Sequence, residues 1–206
     1  MKRIFACTIA LVLTLALASA AFAETIRPVP TTIDLNNLAN RVVRTDVTYK
    51  GDGKMTLTLF ELERFDAEAI RNVKAGDVIV TEGEEVAVES IDEDGPDIIF
   101  NMGKENEMLF CDNGNGQYEH VMENDFVPWI RIGEMDKEIL EYFPIIDIID
   151  PLTGEALDDY TVYDGARLKE LLENPDAVGF DVKNVDIAYD ANGEISMMRR
   201  YYSPAQ

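Results

Sequence analysis

Val78-Ile79-Val80-Thr81-Glu82-Gly83-Glu84-Glu85-Val86-Ala87-Val88-Glu89-Ser90-Ile91 opens the stretch that decides the fold, and the same pattern continues to Met122. Short apolar or alternating runs at 78–80, 86–91, 97–101, 107–111 and 117–122 are separated by turn-rich segments. These are Glu82-Gly83-Glu84, Asp92-Glu93-Asp94-Gly95-Pro96 and Asp112-Asn113-Gly114-Asn115-Gly116. Apolar side chains that share one face of a pleated strand recur at every second residue, so such runs between Gly, Asn and Asp read as strands. Their regular spacing predicts an antiparallel meander that closes into a small barrel or a sandwich.

The flanks extend this reading. Residues 42–49 and 55–63 surround Gly51-Asp52-Gly53 as a hairpin, and 126–132 and 144–149 supply two further strands, with a helical turn or two at 135–142. Asp66 caps a short helix at 67–73 that Gly76 stops, and Asp164 caps a second at 166–173, where Leu168, Leu171 and Leu172 share a face. A third short helix is expected at 34–40. Residues 180–189 and 194–202 flank Asn192-Gly193, the dipeptide that suits both positive-φ positions of a type I′ turn. The expected fold is therefore mainly β with two or three short helices, a β-rich α+β chain. It is organised as a flexible leader over 24–33 and one domain over 34–206, within which 164–202 can form a helix-hairpin subdomain.

At the N-terminus, Met1-Lys2-Arg3 precedes a mostly apolar stretch at 4–18 and the small-residue site Ala21-Phe22-Ala23. Charge, length and cleavage pattern together predict a signal peptide over 1–23, and the apolar stretch is short of the roughly 20 residues that a membrane span requires. The exported protein is then expected outside the cell membrane without an anchor. Cys7 leaves with the signal, so Cys111 alone remains and an intramolecular disulfide is excluded.

The 206 residues include 40 acidic and 18 basic ones, for a formal charge of −22. After cleavage at 23 the balance is 40 acidic against 16 basic. The charge is localised: residues 75–166 hold 25 of the acids and only Lys104, Arg131 and Lys137 as cations. Affinity for nucleic acid and for anionic lipid rests on Lys and Arg, so neither is an expected partner. An extracellular protein, a basic ligand or a polysaccharide is.

Three groups of residues are candidates for chemistry. Asp92, Asp94 and Asp97 crowd carboxylates into a turn and are calcium candidates, because calcium takes six to eight oxygen ligands. They follow no EF-hand spacing. With the turn placed on Asn115-Gly116, Cys111 falls opposite the only histidine, His120, either as a buried histidine packed beside a buried cysteine or as a thiol–imidazole pair, while a turn on Asn113-Gly114 gives another register. Asp147 and Asp150, set among Ile145, Ile146, Ile148 and Ile149, are a carboxylate pair for hydrolysis of an extracellular polymer, or outward-facing acids on an edge strand. No nucleophile elbow, phosphate loop or zinc motif occurs, no cofactor is implied beyond calcium, and no residue is assigned a catalytic role. The leading expectation is a secreted, acidic, non-enzymatic binding module. A carboxylate hydrolase and a calcium-stabilised structural domain are the alternatives.

Overall fold

A computed structural model describes residues 23–122, 127–142, 144–180 and 183–201. Residues 1–22, on which most of the expected signal peptide over 1–23 falls, and the C-terminal 202–206 lie outside the described residues. The chain is mostly β with two short helices among those residues, and its sheets are open rather than closed into a barrel. It divides into two compact units, residues 1–29 with 64–127 and residues 30–63 with 128–206.

The first unit contains the stretch that opened the reading. Strand β1 (Thr25–Ile26) pairs in parallel with β5 (Val78–Thr81), which pairs antiparallel with β6 (Glu84–Ala87). Five more strands, β4 (Arg64–Asp66), β7 (Ile91–Asp94), β8 (Asp97–Phe100), β9 (Met108–Asp112) and β10 (Gln117–Val121), form a sheet in the order β4-β10-β9-β8-β7. From β7 to β10 this is the expected meander. Its turns follow from backbone chemistry. Glu82 and Gly83 both have positive φ, as a type I′ turn needs, and Gly95-Pro96 places the positive-φ glycine first, in II′ order. Helix α1 (Ala67–Arg71) starts where Asp66 accepts the Ala69 N–H, and it buries Ala67 and Ile70. The core consists of Phe65, Phe100, Phe110, Tyr118, Ile70 and Ile79, with Phe110 edge-on to both Phe65 and Phe100 at 5.0 and 5.3 Å.

The second unit is one seven-stranded sheet with α2 (Gly165–Glu173) packed on it. Its strands are β2 (Val42–Gly51), β3 (Lys54–Leu62), β11 (Trp129–Glu138), β12 (Ile145–Ile149), β13 (Ala156–Tyr163), β14 (Val185–Tyr189) and β15 (Ile195–Arg200), in the order β11-β3-β2-β14-β15-β12-β13. Val43, Val47, Leu57, Leu59, Ile187 and Met198 line the inner face, against Leu168 and Leu171 of α2. Gly165 is required at the helix start, because a Cβ there would lie 2.0 Å from the Leu140 carbonyl oxygen.

Several local expectations change. Met135 to Tyr142 is not helical: residues 135–138 complete β11, which pairs along β3 from Leu62 to Lys54. The long edge of β3 supplies a full ladder of hydrogen bonds that two helical turns cannot match. No helix forms at 34–40 either, where Asp34 folds the backbone into a turn by accepting the Asn36 N–H at 2.9 Å. The hairpin around Asn192-Gly193 is present, but only Gly193 has positive φ and Asp190 receives the Asn192 and Glu194 N–H groups. A capped three-residue loop replaces the type I′ turn. Positive φ at two adjacent central residues occurs instead at Asp52-Gly53, in the β2–β3 hairpin.

Candidate functional site

Every residue of β7, Ile91, Asp92, Glu93 and Asp94, is exposed, and β7 is the terminal strand of its sheet. Asp94 lies opposite Asp97 and Asp92 opposite Ile99, so the three calcium candidates share the face away from buried Ile98 and Phe100. Asp97 also accepts the Asp112 N–H at 3.2 Å. Among the described residues no group of three or more His, Cys, Asp or Glu side chains is gathered closely enough to hold a metal ion. Outside β7, Glu82, Glu84, Glu85 and Glu89 are also exposed, on the β5–β6 hairpin of the three-stranded sheet and the segment after it. Lys104 reaches Glu89 at 2.6 Å, and Arg27 approaches Glu85 at 3.8 Å. Opposed like charges such as Asp94 and Asp97 oppose pairing, and charge on a free edge blocks uncontrolled strand addition.

The thiol–imidazole pair is not assembled. The Asn113 N–H bonds the Gln117 carbonyl and the loop is Gly114-Asn115-Gly116, so the register places Cys111 opposite Glu119 and His120 opposite Phe110. Successive side chains alternate between faces, so a one-residue shift sends the sulfur and the imidazole to opposite sides of the sheet. Asp112 and Asn113 fix this longer loop by accepting the Gly114 and Asn115 N–H groups at 2.8 and 3.0 Å. His120 is buried instead. It stacks on Phe110 at 5.3 Å, its Nδ1 lies 2.8 Å from Thr81 Oγ1, and burial holds its pKa below the ordinary histidine value.

Asp147 departs furthest from expectation. Strand β12 lies between β15 and β13, so it is not an edge, and Asp147 is fully buried. Its Oδ1 accepts Arg200 Nε at 3.0 Å and the Ile149 N–H at 3.1 Å. Its Oδ2 accepts Arg200 Nη2 at 2.5 Å and the Tyr163 hydroxyl at 2.8 Å. Arg200, also fully buried, donates through Nη1 to the Val178 carbonyl at 2.9 Å and stacks on Phe180 at 4.0 Å. Burial, followed by the adjacent Asp147 charge, raises the Tyr163 phenol pKa far above its usual value. A carboxylate with four donors on two oxygens has no acceptor left for a substrate. Asp150 does different work: it caps the turn after β12 by accepting the Leu152 and Thr153 N–H groups, and those bonds hold its pKa low. The two acids do not face each other across a cleft.

No protein-family model, curated protein or solved structure matches this chain. Its function is therefore read from its own residues. Sequence reasoning singled out Asp147 but missed its partners, Arg200 and Tyr163. The available signal was the acid at the centre of Ile145-Ile146-Asp147-Ile148-Ile149, since a charge in a fully apolar strand demands a buried counter-charge.

Proposed function

We propose that this is an exported, non-enzymatic binding module whose acidic strand border in the first unit docks a basic protein or peptide outside the cell membrane. The observation that carries the reading is β7, a free strand edge with all four side chains exposed and three of them acidic. Across the described parts of that unit, 16 acidic residues stand against five basic ones, with most of the excess on β5 to β8 and their turns. Such a field speeds encounter with a cationic partner and rejects anionic ones. Export is supported by the pattern at 1–23, and no helix among the described residues is long and apolar enough to cross a membrane.

The test is retention of the exported chain on immobilised polylysine across a salt series, set against a variant carrying Asp92→Asn, Glu93→Gln and Asp94→Asn. The expected result is a shallower salt dependence and earlier elution for the variant, with its thermal unfolding unchanged. Equal elution of the two proteins would remove β7 from the docking surface.

A further inference from the structure

The chain has three Asn-Gly steps, Asn113-Gly114, Asn115-Gly116 and Asn192-Gly193, all in hairpin loops. An asparagine amide followed by glycine is open to attack by the next backbone nitrogen, because glycine has no Cβ to obstruct the approach. Attack needs a free glycine N–H and a side-chain amide able to turn toward it, and the three steps differ in both. The Gly114 N–H donates to Asp112 Oδ1 at 2.8 Å, while Asn113 Oδ1 accepts the Asn115 N–H at 3.0 Å and Asn113 Nδ2 donates to Glu119 at 3.3 Å. The Gly193 N–H donates to the Asp190 carbonyl at 3.1 Å, and Asn192 gives its own N–H and its Nδ2 to the Asp190 carboxylate at 2.8 and 3.3 Å. In these two steps nucleophile and amide are both tied to neighbours. At the middle step neither is. Asn115 and Gly116 are exposed, and among the described residues neither the Asn115 side chain nor the Gly116 N–H makes a hydrogen bond. The space beside Gly116 is also empty, since a Cβ there would meet nothing within 4 Å.

We infer that Asn115 is a site of spontaneous deamidation in the folded protein, and that the other two Asn-Gly steps are protected by the hydrogen bonds of their loops. The Gly116 nitrogen adds to Asn115 Cγ, and the new C–N bond closes an imide ring. The Cγ–Nδ2 bond breaks, and the amide nitrogen leaves as ammonia with the proton that the Gly116 N–H gives up. Water then opens the ring at one of its two carbonyls. Breaking the bond to Cγ leaves aspartate; breaking the bond to the Asn115 main-chain carbonyl leaves isoaspartate, whose main chain runs through the β-carbon. A water is consumed and an ammonia released, with no oxidant or reductant. Gly114 and Gly193 must first give up a hydrogen bond and free an amide that is itself held, so their steps should run at least about tenfold slower. The Tyr118 hydroxyl bonds the Pro96 carbonyl at 2.8 Å and the Asp112 N–H bonds Asp97 at 3.2 Å, which sets the Asn115 loop at the same end of the five-stranded sheet as the β7–β8 turn. Conversion therefore adds a carboxylate at the end of the sheet where Asp94 and Asp97 already lie. The chemistry is independent of what that surface binds.

The test is to incubate the folded chain at mildly alkaline pH, digest samples taken over time, and read the peptides by mass spectrometry. Fragment ions separate position 113 from position 115 within one peptide, and chromatography separates aspartate from isoaspartate. The expected result is early conversion at 115 to both products, with 113 and 192 at least about tenfold behind. The same chain unfolded in guanidinium chloride is the reference. Unfolding removes the Asp112 and Asp190 contacts, so the three steps, identical in their two residues, should convert at comparable rates. An Asp190→Ala variant, checked for an unchanged melting temperature, should bring Asn192 forward in the folded protein and leave the rate at Asn115 as it was. Folded-state conversion at 113 or 192 as fast as at 115, the same order of rates in the unfolded reference, or an unaltered Asn192 rate in the Asp190→Ala variant would each overturn the inference.

Discussion

Replacing Asp147 by Asn keeps the shape of a fully buried side chain and removes its charge. Four donors now converge on the carboxylate: Arg200 Nε and Nη2, the Tyr163 hydroxyl and the Ile149 N–H. An amide offers one oxygen and turns an NH2 group toward donors, so two of the four lose their acceptor, at least one of them from the guanidinium. Hydrogen bonds to charged groups contribute about 1.5–3 kcal/mol each, and removing one member of a buried ion pair costs about 3–5 kcal/mol. The two routes agree on about 4 kcal/mol, a large part of a typical total of roughly 5–15 kcal/mol. Arg200→Met alone should cost a similar amount, because it leaves the carboxylate buried and charged.

The combined variant Asp147→Leu, Arg200→Met, Tyr163→Phe removes the charges and the phenol together. It should sit within about 1–2 kcal/mol of the unmodified protein, and gain is possible because paired charges give back little beyond their own desolvation. The Val178 carbonyl loses its Arg200 donor in this background, which works against that gain. Urea unfolding gives the free energies. Native-state hydrogen exchange on β12 and β15 assigns them to the second unit, since two units need not unfold in one step. An Asp147→Asn cost below about 1 kcal/mol, or additive effects of the Asp147 and Arg200 substitutions, would refute the view that these side chains form one electrostatic unit.

Three further outcomes follow from particular contacts. His120 has its pKa lowered from 6.5 by burial, so the unfolded chain takes up a proton more readily than the folded one. Stability of the first unit should be constant above that value and fall as pH drops below it, measured by urea midpoints between roughly pH 8 and pH 5. A His120→Gln variant should lose that part of the slope. Gly165→Ala drives a methyl group into the Leu140 carbonyl and should cost about 1–3 kcal/mol or more, read as a lowered melting temperature; an unchanged melting temperature would show that the α2 start is loosely held. Phe110→Ala removes the ring that meets Phe65, Phe100 and His120, and should destabilise the first unit by about 3–5 kcal/mol while exchange protection on β2 and β14 stays intact.

What the sequence made legible is what local chemistry controls. Asp66 and Asp164 mark both helix starts because an N-cap acts within three residues, and each accepts the expected N–H. The hairpins at 51–53, 82–83 and 95–96 are legible because glycine supplies positive φ on the spot. Legibility ends where a partner lies far along the chain. Met135 and Ile139 have helical spacing, yet a strand some 80 residues earlier claims residues 135–138. Asp147 reads as an edge acid until β15 arrives in parallel beside it and brings Arg200, 53 residues away.

Parity explains why the candidate site suffered more than the fold. A hairpin remains a hairpin whether its loop has two residues or three, so the strand assignments at 107–111 and 117–122 tolerate the uncertainty. Chemistry does not, because side chains alternate and the odd residue in Gly114-Asn115-Gly116 exchanges every partner across β9 and β10. That exchange seats His120 on Phe110 in the core and leaves Cys111 opposite Glu119. The same alternation works at the end of β15, where neighbouring arginines separate: Arg200 turns inward to complete the buried pair, and Arg199 turns outward onto the Tyr201 ring. Two adjacent identical residues thereby take opposite faces of the sheet, one in the core and one at the surface. Arg199→Ala should leave the melting temperature unchanged, whereas Arg200→Met should lower it, because only the second removes a fully buried side chain. If Arg199→Ala lowered the melting temperature as much as Arg200→Met, the assignment of opposite faces would be wrong.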